Sequence, residues 1–267
     1  MSLKVLFGVK PFGRALLPTC LFALASATSC AEVGPDGEPL ETDGEVEGTS
    51  QAIEANSSVV ISQLYVDISG SSGNSVTQPY NRDFIEIFNR GNHAVSLNGW
   101  SIQYASAVGT GLFGGSNNLI TPLPNVSLQA GQYMLIQGTF GPGSSTTPLP
   151  SPFVADPDQA IDMARAGGKV ALAKIATSVG CNGGSASSTP CTAAQLANIV
   201  DVVGYGSANY YEGALGTAAV PNGSALWRSF DGCWDTNSSS VDWVVQAPAP
   251  RTTATPVHNC GLSGTTP

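Results

Sequence analysis

The chain has 267 residues, with 19 acidic against 10 basic side chains and a formal charge of −9, and only 11% of its residues are charged. That balance leaves no basic stripe to neutralise phosphates, which argues against a nucleic-acid-binding role. Low charge beside 31 glycines, 18 prolines and many Ser, Thr and Asn residues points to an extracellular β-protein with long polar loops.

The chain opens on an export signal. Lys4, Lys10 and Arg14 form a basic start, and a mostly apolar run from Ala15 to Ala25 follows before small residues lead to Cys30. Such a run is too short and wrongly flanked to span a bilayer. Ala27-Thr28-Ser29-Cys30 is similar to a bacterial lipobox, which makes residues 1–29 a lipoprotein-type signal and Cys30 an acylated N-terminus. The alternative is ordinary cleavage after Ala25-Ser26-Ala27, which releases a soluble protein. Loss of the leader removes three basic residues and leaves 7 against 19 acidic ones, a net of −12. Residues 30–56 carry eight of those acids, from Glu32 to Glu54, and no Lys, Arg or aromatic. A segment of that kind cannot bury enough apolar surface to offset its ordering entropy, so it is expected to be a solvated tether.

From Val59 onward the pattern is period two or short apolar runs, the signature of strands. Strands are expected at Val59–Val66, at Asp83–Asn89, from Val95 to Tyr104 with a break at Asn98-Gly99, and at Val126–Leu128. Further strands follow at Gln132–Gln137, Lys169–Ile175, Ile199–Tyr205, Ala225–Phe230 and Trp243–Gln246. Residues 138–157 and 177–198 interrupt them as long loops. Asp158–Ala166 fits a short helix with Gly167 beyond its end, and Thr192–Asn198 fits one helical turn. Glu86, between two aliphatics, reads as a polar position on a half-exposed sheet face. Gly99-Trp100 reads as a turn that lays the indole on the core.

Four cysteines remain in the mature domain: Cys181, Cys191, Cys233 and Cys260. An even number in an oxidising compartment implies two disulfides, for which three connectivities exist. Pairing of sequence neighbours, Cys181–Cys191 and Cys233–Cys260, is the preferred one, because the first closes a Gly/Ser-rich loop and the second pins the tail at 251–267. The spacings do not fit a thiolate zinc site. Removing Cys30 by acylation also leaves an even count, whereas ordinary cleavage strands an odd thiol.

Chemistry is sparse. His93 and His258 are the two histidines and neither falls in a motif. No nucleophile elbow, His-Glu-x-x-His run or phosphate loop occurs, and Gly111–Gly115 lacks the lysine such a loop needs. No catalytic residue is assigned. The one candidate ligand site is the acidic run containing Asp231, in which Asp235, Asn237 and Asp242 offer oxygen ligands for calcium. It is not an EF-hand, since Ser240 and Gln246 stand where the glycine and glutamate belong. A turn capped by Asx side chains accounts for the same residues. No other cofactor is expected.

Three segments together resemble the lamin tail domain. They are Asp83-Phe84-Ile85-Glu86-Ile87-Phe88-Asn89 running into Val95-Ser96-Leu97-Asn98-Gly99-Trp100-Ser101-Ile102, then Leu128 to Ile136, then Val200 to Gly206 continuing through Ala225-Leu226-Trp227-Arg228 to Asp242-Trp243. The resemblance implies an all-β, immunoglobulin-like β-sandwich over residues 57–250 with long loop insertions. It also implies a module that recurs in exported bacterial proteins, often beside nuclease or other hydrolase domains. The DNA binding linked to nuclear lamins does not carry over, because no coiled coil or basic tract is present. The expected function is a non-catalytic cell-surface interaction or adhesion module, monomeric, anchored to the membrane by lipid on Cys30 and binding a protein or glycan. The alternative is a cryptic or accessory extracellular metal-dependent hydrolase.

Overall fold

The computed structural model describes residues 57–66, 78–140, 147–185 and 187–261. The signal, Cys30 and the acidic tether lie outside the described residues. Among the described residues eleven strands form a five-stranded sheet, a four-stranded sheet and a two-stranded ribbon, all by antiparallel pairing. The larger sheet runs β11-β10-β1-β2-β7, where β1 is Val59–Tyr65, β2 Arg82–Asn89, β7 Tyr133–Phe140, β10 Ala225–Arg228 and β11 Trp243–Gln246. The smaller runs β5-β4-β8-β9, where β4 is Ser101–Ser106, β5 Ile120–Pro122, β8 Gly167–Ala173 and β9 Ile199–Gly206. β3 (Val95–Ser96) and β6 (Ser127–Leu128) make the ribbon.

The two sheets form a β-sandwich, and alternation along each strand explains which residues fill it. Ile85, Ile87, Met134 and Ile136 of the larger sheet meet Ile102, Val170, Leu172, Val200 and Val203 of the smaller in one buried cluster. β1 keeps phase with this core by a bulge. Its register against β2 shifts between Ile61 and Gln63, so Val59 and Ile61 before the shift and Leu64 and Val66 after it all join the same cluster. The extra residue also aims both Ser62 and Gln63 at Glu86 on the opposite face. Trp100 packs half-buried against the core after Gly99, which sits at φ +79°.

Loops cover the outer faces, and this accounts for their length. Phe113, Val179 and Cys181 pack on Ala105, Ala171, Ala173, Ile199 and Val202 of the smaller sheet. There Cys181 is bonded to Cys191, and Cys233 is bonded to Cys260. Lys169 lies under the first of these loops, fully buried, donating to Asn182 O at 2.6 Å and Asn209 Oδ1 at 2.9 Å, and burial lowers its ammonium to about 8.

Three local expectations change. Residues 158–166 form no α-helix: a 3-10 turn at Pro157–Gln159 is followed by extended chain, with Ile161 and Met163 both buried. That chain lies against β7, where Thr139 N donates to Ile161 O at 2.9 Å, and Asp83 Oδ2 accepts from Met163 N at 2.8 Å. Apolar residues two apart served an extended segment here, and helix propensity lost to tertiary pairing. β7 continues to Phe140, into the stretch read as loop, and Phe153 bonds back to Leu135 and Gln137. Glu86 is fully buried rather than half-exposed, because the chain after β11 returns over it. The turn after Thr192 does form, as α1 (Ala193–Leu196), with a capping box between Thr192 and Gln195.

Candidate functional site

Beyond Trp227, β10 leaves β1, and the backbone of Ile61 has no strand beside it on that edge. Side chains take its place. Arg228 Nε donates to Ile61 O at 2.8 Å, and Ile61 N donates to Asp201 Oδ2 at 2.6 Å. Arg228 Nη2 reaches both oxygens of Asp201 at 2.7 Å. Since Asp201 belongs to β9, this fork joins the smaller sheet to the edge of the larger one. Arg228 is opposite Trp243 in the β10–β11 ladder, and its guanidinium carbon stands 4.9 Å from the centre of that ring.

Three more carboxylates surround this guanidinium. Asp235 Oδ1 accepts from Arg228 Nη1 at 3.0 Å, and Asp235 Oδ2 faces Arg90 Nη2 at 3.6 Å. Asp242, in α2 (Ser239–Asp242), accepts from Thr236 N, Thr236 Oγ1 and Ser238 N, and its Oδ2 lies 3.7 Å from Arg228 Nη1. Glu212 is 7% exposed and its Oε2 has no hydrogen-bond partner. One oxygen each from Glu212, Asp235 and Asp242 lies within 4.8 Å of the others.

The electrostatics follow from burial with surplus negative charge. Burial pushes the Glu212 carboxyl up to about 9; Asp201 adds to the rise, Arg228 opposes it, and Asp235 and Asp242 add more. Burial likewise raises Asp201, against the pull of Arg228. For Arg228 burial favours loss of the proton, but the four carboxylates outweigh it and hold the guanidinium above its ordinary value.

The acidic run expected to bind calcium is therefore divided. Asp235 and Asp242 come together. The third carboxylate within ligand distance is Glu212, from the loop after β9, while Asn237 takes a left-handed turn position (φ +56°) and sends its N–H toward Asp235 Oδ1 at 3.5 Å. Asp231, 56% exposed in its side chain, goes instead to Arg251 at 3.0 Å.

Arg251 centres a second cluster on the outer face of the larger sheet. Its N–H donates to Glu86 Oε2 at 2.6 Å and its Nη2 to Oε1 at 2.7 Å, and Ser62 Oγ adds a bond of 2.6 Å. The guanidinium carbon lies 3.8 Å from the Tyr133 ring centre and 4.8 Å from that of Trp227. Burial raises the Glu86 carboxyl, and Arg251 counteracts the rise. Separately, an open cleft of about 400 Å³ is lined by Pro124, Val126, Leu128, Gln132, Phe153 and neighbours.

Sequence reading missed Glu212, Asp201 and Arg251 as partners. Asp201 carried a signal, an acid at the centre of the apolar run Ile199–Tyr205, which burial in a strand makes costly unless it is paired. Glu212 carried none, standing in a Gly- and Tyr-containing loop.

The architecture and its buried ion pairs define an antiparallel, immunoglobulin-like β-sandwich stapled by disulfides. The Lamin Tail Domain family model matches residues 52–207, more than half the chain, and the chain belongs to that family. The matched span ends before Glu212, so of the Arg228 cluster it includes Asp201 and Arg90 alone. Among solved structures, a DUF4876 family protein from Bacteroides thetaiotaomicron is similar at 12% identity, covering 76% of this chain and 74% of that one, with a TM-score of 0.46. No curated protein matches.

Proposed function

We propose that the protein is an exported, lipid-anchored display module that binds a protein or glycan at the cell surface without catalysing a reaction. The two disulfides support an extracytoplasmic location. Among the described residues no helix is long and apolar enough to cross a membrane. Attachment in this reading is by acylation of Cys30, with residues 30–56 as spacer. The observation that carries the non-catalytic reading is the fate of three buried charged groups. Asp201, Glu86 and Arg228 are all at most 1% exposed and locked in ion pairs that brace the sheets. A general acid or base needs access to the proton it moves, and these groups face protein instead.

Two measurements test the reading. Mass spectrometry of the mature N-terminus finds diacylated or triacylated Cys30; an unmodified Thr28 start overturns the anchor. The mature protein, screened against envelope extracts and glycans, binds saturably, and it turns over no peptide, glycosidic or phosphodiester substrate with divalent cations present. Turnover abolished by Asp235→Ala overturns the non-catalytic assignment in favour of a metal-dependent hydrolase, the reading that the Glu212–Asp235–Asp242 group favours.

A further inference from the structure

We infer that Glu212, Asp235 and Asp242 together hold one hard divalent cation of the calcium class, which fastens the loop after β9 to the turn before β11. The three carboxylates offer oxygens within 4.8 Å of one another, a span that lets one ion touch all three at the 2.3–2.6 Å typical of calcium–oxygen contacts.

An acidic group alone is weak evidence, and a second observation bears on it. Among the described residues five buried side-chain polar atoms have no hydrogen-bond partner, and four of them belong to Tyr210, Glu212, Ser239 and Trp243. Ser239 N donates to Glu212 O at 2.9 Å, Tyr210 feels the Glu212 charge, and Trp243 stands over Arg228. Of these residues Glu212 belongs to the carboxylate group itself. Buried polar atoms are nearly always satisfied, so an unpartnered carboxylate oxygen in a buried side chain calls for a ligand. Glu212 Oε2 is the acceptor in that set that carries charge.

Charge separates an ion from water. Asp201, Glu212, Asp235 and Asp242 face Arg228 and Arg90, so four carboxyl groups stand against two guanidiniums in this site. A water cannot pair with that excess of acid, whereas a divalent cation takes the place of the proton that Glu212 otherwise keeps and carries its own water. Arg228 occupies Asp235 Oδ1, while Oδ2 makes an ion pair with Arg90 at 3.6 Å, too long for a hydrogen bond. Thr236 and Ser238 hold Asp242 rigid, with bonds to both of its oxygens. Calcium accepts such irregular carboxylate sets more readily than magnesium, which demands near-octahedral geometry and keeps its waters.

The geometry also says what the ion would do. Gly213, at φ +77°, brings the loop so close that an added Cβ would meet Ser238 Cα at 3.0 Å and Asn237 O at 3.1 Å. The loop and the turn are in backbone contact at the residue next to Glu212, and the cation completes that junction.

The test uses the mature protein with its disulfides oxidised, stripped by chelator and titrated with calcium chloride. The expected result is one calcium per chain by calorimetry and a rise in melting temperature, both lost in Glu212→Gln, with a smaller response to magnesium. Terbium bound by the wild-type protein emits on tryptophan excitation through Trp243 and is displaced by calcium, which tests the site even if the variant fails to fold. Absence of heat, melting shift and terbium emission up to about 10 mM, well above the range of weak extracellular sites, overturns the proposal. So does a folded Glu212→Gln protein that keeps the wild-type calcium response.

Discussion

Two arginines, Arg228 and Arg251, each pair with a buried carboxylate in this domain, and they are compensated differently. Arg251 faces one buried carboxylate, Glu86, and is itself sandwiched by Tyr133 and Trp227, with Asp231 at the solvent edge. One guanidinium meets one buried carboxylate there, the second acid, Asp231, being solvent-exposed, and the hydrogen-bonding capacity of Glu86 is met by Arg251, Ser62 and Gln63. Arg228 faces four acids, one of which has an oxygen with no partner. A balanced, satisfied ion pair is explained by its structural job alone, here covering the outer sheet face with the C-terminal segment. Surplus charge beside unmet hydrogen-bonding capacity is not, because buried charge is costly unless something pairs with it. The contrast is what sets the proposed cation site apart from the Arg251 cluster.

The comparison is broken most severely at its centres. Arg228→Met removes the guanidinium that forks onto Asp201 and strands that buried carboxylate; breaking a buried pair in this way costs about 3–5 kcal/mol, read from urea unfolding. Loss of the Cys233–Cys260 bond by double substitution to alanine opens a 27-residue separation and costs about 3 kcal/mol. That bond restrains the segment carrying Arg251, so the two features should be coupled. Arg251→Met alone costs about 2 kcal/mol, less than Arg228→Met because its side chain is 13% exposed and water reaches Glu86 when it leaves. Combined with the cysteine substitutions, its effect should fall short of the sum by about 1 kcal/mol. Full additivity would show that the disulfide does not help seat Arg251.

How far these clusters could be read from sequence depends on the distance between partners. Strand alternation is local, so Ile85 and Ile87 could be assigned to a core and the sandwich was legible. The disulfides followed from compartment and cysteine parity. Glu86 was misplaced on a half-exposed face because its cover is Arg251, 165 positions away, and no local pattern announces a returning tail. Asp235 and Asp242 were legible as a pair since one turn carries both. Glu212 was invisible, as it reaches them only through the close approach at Gly213. The proposed helix at 158–166 failed for the complementary reason: the pairing with β7 that overrides it lies outside the segment.

The smallest expected effect is also the one that discriminates between the two clusters. In chelator, the Glu212 carboxyl of the folded protein sits at about 9 against an ordinary 4.5. Between those values the folded state keeps a proton that the unfolded state has released, so unfolding releases it and stability falls as pH rises. The contribution is complete below about 4.5 and is lost on passing about 9. Over the single step from pH 6 to 7 one such group changes stability by at most about 1.4 kcal/mol, measurable from paired urea titrations. Glu86 is raised as well, so Glu86→Gln removes a slope of the same sign. Glu212→Gln should also flatten the profile, and of the two slopes its own is the one that calcium removes. Calcium should flatten the wild-type profile too, by holding Glu212 ionised in the folded state. A wild-type profile already flat in chelator would mean that Glu212 is ionised without calcium, and that something other than a proton screens the surplus charge around Arg228.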